Sequence, residues 1–88
     1  MSGYELVLSA VFQKQTKKLV KKNPQLRTKI AKTLKLLSAD ISRPSLRLHK
    51  LAGENNWSVS VTGDIRIIIH FSGDKVFCTR IGTHNEVY

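Results

Sequence analysis

The chain is short of cysteine, of long apolar runs and of acidic residues, and each shortage excludes a class of protein. Its single cysteine, Cys78, cannot form an internal disulfide, and the sequence has no Cys/His spacing typical of a zinc site. No apolar run exceeds three residues, so no membrane span is predicted. The N-terminal residues lack the basic start and apolar stretch of a signal peptide. We therefore expect a protein of the reducing cytoplasm, without a metal or other cofactor.

The shortage of acids gives the chain a strong positive charge. Fifteen Lys and Arg residues stand against six Asp and Glu, a formal net charge of +9. Residues 1–50 carry twelve of these basic residues and two of the acids, whereas residues 51–88 carry three and four. Such a field attracts polyanions, nucleic acid above all. A solvated lysine face or an acidic protein partner would account for the same charge.

The length of the chain limits it to one domain. Eighty-eight residues, of which 41% are hydrophobic, suffice for one hydrophobic core and are too few for two. A single domain over residues 1–88 is predicted, with helical periodicity in its first half and strand alternation in its second.

The first half begins with a short apolar-rich run at Tyr4–Leu8, which predicts a strand. Ser9 is suited to cap a helix that ends near Lys22. Asn23 and Pro24 are suited to be the cap and first residue of a second helix. This helix repeats apolar residues at spacings of four, four and three: Leu26, Ile30, Leu34 and Leu37.

The second half alternates apolar and polar residues, as strands do. Alternating runs cover Trp57–Thr62, Asp64–Phe71 and Lys75–Ile81, with Gly63 and Gly73 at the two turns. The predicted fold class is α+β: an N-terminal strand, an αα-hairpin packed on one sheet face, and an antiparallel β-meander.

The turns predict a strand register, because a slip of one residue would expose every core side chain. If residues 72–74 form a three-residue turn, residue 71 opposes residue 75, and Arg66 opposes Arg80. If residues 62–64, which end with Asp64, likewise form a turn, Ser60 opposes Arg66. The core face then collects Trp57, Val59, Val61, Ile65, Ile67, Ile69, Phe71, Phe77 and Ile81. The other face collects Ser58, Ser60, Arg66, Ile68, His70, Cys78 and Arg80.

Arg66 and Arg80 in this register would repel each other. A phosphate between them would remove the conflict, since two guanidinium groups match it well. Alternatively, both side chains point into solvent or pair with Glu54 or Glu86.

Three histidines are candidates for proton transfer near neutral pH. His84 follows the strand that carries Arg80, and His49 precedes the meander. His70 lies between two apolar residues in mid-strand, where a structural role is favoured. RNA cleavage through the 2′-hydroxyl needs proton transfer at two oxygens, which two histidines can supply. The residues alone indicate a phosphate-binding basic domain and leave catalysis open.

Four segments together resemble the RelE/ParE toxin superfamily. They are residues 48–53 (LHKLAG), 57–61 (WSVSV), 63–69 (GDIRIII) and 80–88 (RIGTHNEVY). The closing Arg-x-Gly-Thr-His-x-x-x-aromatic pattern is most similar to the YafQ branch. The resemblance covers essentially the whole chain. This sequence has Ser58 and Ser60 where YafQ-like proteins usually carry a histidine, and Ile65 where they often have tryptophan.

The resemblance implies an endoribonuclease toxin that enters the ribosomal A site and cuts mRNA without a metal or cofactor. In this family the 2′-hydroxyl attacks the phosphate and leaves a 2′,3′-cyclic phosphate. The resemblance implies acid–base roles for His49 and His84 and phosphate contacts for Arg66 and Arg80. It also implies a cognate antitoxin protein as partner.

Further residues are expected to bind the substrate. Lys50 matches a basic position beside the first histidine, and Tyr88 matches a terminal aromatic near a base. Lys29, Lys32 and Lys35 face away from the apolar stripe of their helix. We expect these three to contact ribosomal RNA or an acidic antitoxin, and not the cleaved phosphate.

Two other functions stay open. ParE-type relatives share the fold and inhibit DNA gyrase without cutting RNA, although they usually lack the terminal histidine. A basic RNA-binding domain without chemistry would have the same composition. The Thr83-His84 segment favours RNA cleavage.

Overall fold

The chain forms two main helices and a five-stranded sheet in a computed structural model that describes residues 3–53 and 55–87. The elements are β1 Glu5–Leu8, α1 Ala10–Lys22, α2 Leu26–Ala39, a 3₁₀ turn Pro44–Leu46, β2 His49–Lys50, β3 Asn56–Ser60, β4 Ile65–Ser72, β5 Lys75–Thr83 and the short α3 His84–Val87. This order confirms the predicted α+β fold. None of the described helices is long and apolar enough to cross a membrane.

The sheet is mixed. Its strands lie in the order β1-β5-β4-β3-β2, with β3 to β5 paired antiparallel as the predicted meander. The short β2, which was not predicted, pairs antiparallel with β3. β1 pairs parallel with β5, and Leu8 stands opposite Cys78. The two helices carry the chain from β1 at one edge to the two-residue β2 at the other, as a parallel pairing requires.

The start of α1 is confirmed, and the start of α2 is corrected. Ser9 Oγ accepts a hydrogen bond from the Phe12 N–H at 3.0 Å, as a helix cap does. α2 begins at Leu26, two residues later than predicted, because Pro24 belongs to a tight turn before it. In this turn the Leu26 N–H donates to the Asn23 carbonyl at 3.0 Å.

Both helices pack on one face of the sheet, as predicted. The core cluster joins them to the strands and contains Phe12, Leu26, Ile30, Leu37, Leu46, Val59, Ile65, Ile67, Ile69, Val76, Cys78 and Ile81. Trp57 and Phe71 are half-buried against it, with their rings in edge contact at 6.3 Å between centroids. Trp57 therefore packs, and its ring is not presented for stacking on a base.

The turn between β4 and β5 holds two residues, not the predicted three. Ser72 pairs with Lys75, and Gly73 adopts a left-handed φ of 60°, as short hairpin turns require. The shift of one residue brings Val76 to the core face and turns Phe77 to the other face. The prediction of Phe77 in the core is wrong.

A β-bulge at Thr79 changes the alternation half-way along β5. The pairing with β4 passes from Cys78 directly to Arg80, so Thr79 has no partner on that strand. Cys78 and Ile81 both face the core although they are three residues apart, which an unbroken strand cannot achieve. The two-residue turn already places Cys78 opposite Ile69 on the core face, so its predicted place on the other face is wrong, and the bulge then returns Ile81 to the core.

Helix α1 binds the backbone groups at the bulge. Ser9 Oγ donates to the Thr79 carbonyl at 3.0 Å. Gln15 Oε1 accepts from the Ile81 N–H at 2.9 Å, and Thr79 Oγ1 donates to the Ile68 carbonyl at 3.1 Å. Ser9 thus caps α1 and ties it to the bulge with one hydroxyl.

Replacing Ser9 with alanine should lower the free energy of unfolding by about 2 kcal/mol, because the helix loses its cap and the Thr79 carbonyl loses a donor. Urea denaturation followed by circular dichroism measures the change. Ser42→Ala is the control, since that exposed hydroxyl contacts only the Asp40 carboxylate, at 2.8 Å. Equal stability of the two variants would contradict the role given to Ser9.

Candidate functional site

A cleft of about 470 Å³ opens where three segments distant in the sequence meet. They are the segment leading into β2, the β3–β4 turn with the start of β4, and the first residue of α3. The lining includes three charged residues, Arg47, Asp64 and Arg66, together with His49, Gly63 and His84. The volume lies in the range of roughly 300–1,000 Å³ that small-molecule sites occupy.

Arg66 is held from two sides in this cleft. Its Nε donates to Ser58 Oγ at 3.1 Å, and its Nη2 donates to the Arg47 carbonyl at 3.1 Å. Ser58 is fully buried on the neighbouring strand, so its hydroxyl is a fixed acceptor. A guanidinium has five N–H donors, and these two bonds orient the group while others stay available to an anion.

Arg47 belongs to the cleft and was not predicted. It follows the 3₁₀ turn with a left-handed φ of 47° and ψ of 53°. This conformation costs roughly 1–2 kcal/mol for a residue with a Cβ, and strain of this kind often marks a functional position. In this conformation its carbonyl contacts Arg66 and its side chain lines the same cleft. Nothing in the sequence signals a left-handed arginine.

Both predicted catalytic histidines line the cleft. His49 pairs with Ser58 across β2 and β3, which places it on the same sheet face as Arg66. His84 begins α3 directly after β5, and both histidines are exposed. Because β4 lies between β5 and β3 in the sheet, the histidines approach Arg66 from its two sides. The arrangement can bind a phosphate and exchange protons on either side of it.

Asp64 adds a carboxylate that the sequence pattern had assigned to a turn. Its backbone N–H donates to Thr62 Oγ1 at 3.2 Å, which fixes the turn, and its side chain is exposed at the cleft. No ion pair joins it to Arg47 or Arg66 among the described residues. The Asp64 carboxylate nevertheless offsets part of the positive charge of the cleft, and Arg47 and Arg66 together leave a net excess of one positive charge.

Arg80 lies on the same face as Arg66 but not opposite it. Arg66 pairs with Gly82 and Arg80 pairs with Ile68, so the two arginines are diagonal neighbours. The predicted direct opposition is wrong because of the two-residue turn and the bulge. Diagonal neighbours are roughly 7–8 Å apart, which relaxes the repulsion. Arg80 is exposed and does not line the cleft.

Four of the predicted substrate-binding residues, all lysines, also lie outside the cleft. Lys50 pairs with Trp57 and therefore faces the other side of the sheet, where its Nζ is 5.9 Å from the centre of that ring. The α2 lysines are exposed on their helix: Lys29, Lys32 and Lys35. Tyr88 and Glu54 lie outside the described residues, as does the side chain of Glu86.

His70 and Cys78 have side chains that could react, but their surroundings indicate structural roles. His70 Nδ1 is 3.0 Å from Asn56 Oδ1, in keeping with the structural role favoured for it. Burial raises the pKa of the Cys78 thiol to about 12, so this group is not a nucleophile at neutral pH. Within the described part of the chain, no group of three His, Cys, Asp or Glu side chains could hold a metal ion.

The same fold occurs in solved structures of bacterial toxins. A chain of the E. coli DinJ–YafQ toxin–antitoxin complex matches with a TM-score of 0.82 at 20% identity, covering 99% of both chains. YafQ from E. coli strain BL21(DE3) gives 0.80 at 19%, covering 97% of this chain and 98% of that one. A YoeB/ParE toxin from Agrobacterium tumefaciens gives 0.75 at 15%, covering 91% and 98%. Comparison with protein-family models and with curated proteins finds no match. The predicted RelE/YafQ-like fold is confirmed.

Replacing Arg66 with lysine should weaken binding of inorganic phosphate to the cleft about tenfold, a loss of ~1.4 kcal/mol. An ammonium keeps the charge but cannot contact Ser58, Arg47 and an anion in the fixed geometry of a guanidinium. Titration with phosphate, followed by the NMR shifts of the His49 and His84 rings, measures the affinity. Arg80→Lys is the matched control and should bind as the parent protein does. An equal loss in both variants would contradict the placement of the anion at Arg66.

Proposed function

We propose that this chain is the toxin of a toxin–antitoxin pair and an endoribonuclease that cleaves mRNA on the ribosome, in the cytoplasm. The observation that carries the proposal is the cleft in which Arg66 lies between His49 and His84. The fold shared with YafQ and the closing Arg-x-Gly-Thr-His pattern support it.

The cleft is suited to a phosphodiester. Arg66 is oriented by Ser58 and by the Arg47 carbonyl before any ligand arrives, so binding needs little rearrangement of this side chain. Charge on the non-bridging oxygens increases as the phosphate becomes five-coordinate. Arginine donors fixed near those oxygens stabilise this state more than the ground state.

The proposed reaction is transfer of the phosphate to the neighbouring 2′-hydroxyl. One histidine takes the 2′-hydroxyl proton while the 2′-oxygen forms a bond to phosphorus. The bond from phosphorus to the 5′-oxygen breaks, and the other histidine gives its proton to that oxygen. The products are a 2′,3′-cyclic phosphate and a 5′-hydroxyl. His49 and His84, which approach from opposite sides, take these two roles.

Residues around this centre are proposed to bind other parts of the RNA. Arg80 lies beside Arg66 on the same face, where it would contact a strand that continues across the sheet. Lys50 would contact RNA beyond the sheet edge, and Tyr88 would stack on a base, as the resemblance implies. Asp64, at the rim of the cleft, would accept a hydrogen bond from a ribose or a base.

Replacing His84 with alanine should lower the rate of mRNA cleavage by roughly 10²–10⁴-fold, the usual contribution of one acid or base. The side chain is exposed, so its loss opens no core cavity and the fold should persist. Cleavage of an mRNA on a programmed ribosome, read by primer extension, measures the rate, and induced expression measures growth inhibition.

His70→Gln is the matched control, because this histidine lies outside the cleft and glutamine can still bond Asn56. It should retain cleavage. Full activity of folded His84→Ala would remove His84 from the chemistry. Absence of cleavage by the parent protein on the ribosome, together with growth inhibition, would overturn the nuclease proposal in favour of a protein target such as gyrase.

An antitoxin is proposed to bind the groove between α1 and α2. The groove, of about 530 Å³, has apolar residues along its floor and the cations Lys17, Lys21 and Arg27 on its sides. Thr16 lines it, and its Oγ1 is buried with no hydrogen-bond partner among the described residues. An amphipathic acidic segment fits this combination, because it supplies apolar contacts, carboxylates and a partner for the hydroxyl. A solved structure of the same fold is a toxin–antitoxin complex.

Replacing Ala31 with aspartate should weaken antitoxin binding at least tenfold. The bound antitoxin would bury the new charge among the apolar residues of the groove. Ala10→Asp is the control: it adds the same charge at the exposed first residue of α1, away from the groove. Co-purification and calorimetry with the product of the neighbouring antitoxin gene measure the affinity. Equal binding by both variants would place the antitoxin elsewhere.

A further inference from the structure

We propose that Lys29 and Lys32 form a second phosphate subsite, which holds the RNA backbone next to the phosphate bound in the cleft. This inference rests on the proposed function, because it takes the ligand of the cleft to be single-stranded RNA. It separates the three α2 lysines, which the sequence pattern treats alike, into two that bind the strand and one that does not.

A second groove, of about 250 Å³, lies between α2, the 3₁₀ turn and the end of β3. The α2 residues that line it are at positions 29, 32, 33 and 36, which is one face of a helix at spacings of three, four and seven. Lys29 and Lys32 therefore project on the same side of the helix. Lys35 is not in this row and does not line the groove.

The groove and the cleft share a wall. Leu46 lines the groove, and Arg47, the next residue, lines the cleft. The β3–β4 hairpin also lines both sites, the groove with Ser60 and the cleft with Asp64. Ser60 is the strand partner of Arg66. An RNA strand that leaves the cleft over this wall would pass from the sheet face of Arg66 to the side of α2, where the groove lies.

The ammonium groups are the charged donors of the groove. Within the part of the chain that the structure describes, no carboxylate is in ion-pair distance of either lysine. Two hydroxyls nearby have other partners: Thr33 Oγ1 donates to the Lys29 carbonyl at 2.9 Å, and Ser60 Oγ donates to the Thr62 carbonyl at 2.8 Å. Ser45, which also lines the groove, is exposed, and its hydroxyl can donate beside the two ammonium groups. This combination of donors suits a phosphate.

The observations favour RNA over an acidic protein segment at this groove. Its volume is about half that of the α1–α2 groove. Its apolar lining consists of Leu36, Leu46 and Val61, which is less than the α1–α2 groove offers. An amphipathic helix needs a longer apolar floor. The groove also adjoins the arginine cleft, whereas the α1–α2 groove shares none of the segments that line the cleft.

The test measures binding of 2′-O-methyl oligonucleotides, which lack the attacking hydroxyl, across a series of salt concentrations. Two lengths are compared: a dinucleotide, which can fill only the cleft, and a hexanucleotide, which can reach the groove. The variant is Lys29→Gln with Lys32→Gln. The matched control, Lys35→Gln with Lys22→Gln, removes the same charge from exposed positions outside the groove. Thermal unfolding checks that all variants are folded.

For the hexanucleotide, the Lys29/Lys32 variant should bind roughly tenfold more weakly, and its salt slope should fall by about 0.7 for each phosphate that no longer has an ammonium partner. The control variant should be weakened much less, and dinucleotide binding should be the same in both variants. Equal weakening of the two variants would reduce the subsite to a general charge effect. Equal weakening for the dinucleotide would place the lysines at the cleft phosphate itself.

If hexanucleotide binding is unchanged and antitoxin binding is abolished, the groove belongs to the protein partner and the proposal is wrong. Cleavage by the parent protein on the ribosome tests the proposed function separately. If the two lysines affect binding of the hexanucleotide only and the parent protein does not cleave mRNA, the RNA subsite is supported and the nuclease proposal is wrong.

Discussion

The bulge at Thr79 is the feature on which the arrangement of the site depends. Without it, the alternation of β5 that buries Cys78 would turn Arg80 into the core and Ile81 out of it. With it, Ile81 is buried, Arg80 shares the face of Arg66, and the strand ends where His84 reaches the cleft. A bulge leaves backbone groups without strand partners, and these need other partners. Helix α1 provides them through Ser9 and Gln15, so the first helix and the last strand fix each other.

Arg66, like the bulge, is held by hydrogen bonds to groups from other segments of the chain. A guanidinium on an open sheet face has many rotamers, and ordering it only when the ligand binds would weaken binding. Ser58 below it and the Arg47 carbonyl beside it restrict this freedom in the unbound protein. The left-handed conformation of Arg47 is the local cost of this support. The side chain that Arg66 leans on therefore lies in a buried strand, while the two histidines of the cleft remain exposed.

The sequence predicts the fold correctly where the turn residues and the apolar alternation allow only one strand register. The β3–β4 hairpin has its predicted register, with Ser60 opposite Arg66, because a turn glycine and strict alternation agree there. In β5 the pattern allows two solutions, since Phe77 and Val76 are both apolar and either can be assigned to the core. The choice depends on the turn length and on a bulge, and a bulge is stabilised by residues of α1 that are distant in the sequence. Local patterns cannot contain that information.

The residues of the site also divide into those that the sequence identifies and those that it does not. His49, Arg66 and His84 were identified from the sequence, through a resemblance to a family, and they meet in one cleft. Arg47 and Asp64 were not, because a turn residue and a residue after a 3₁₀ helix carry no pattern of their own. Arg80 was placed on the correct face for the wrong reason: its predicted position opposite Arg66 came from a register that the turn and the bulge both change.

The uneven charge of the chain now has a structural meaning. The basic first half forms the two helices, whereas most of the strand framework that supports the cleft comes from the nearly neutral second half. Helix α2 lines both grooves, with Ile30, Ala31 and Leu34 on one and the row that includes Lys29 and Lys32 on the other. A partner confined to the α1–α2 groove would lower the positive field of the helices without covering the cleft. Under the proposed function, full inhibition by such a partner requires a second segment that reaches across α2 to the Lys29–Lys32 groove or to the cleft itself, because screening the field would slow RNA association but leave His49 and His84 accessible.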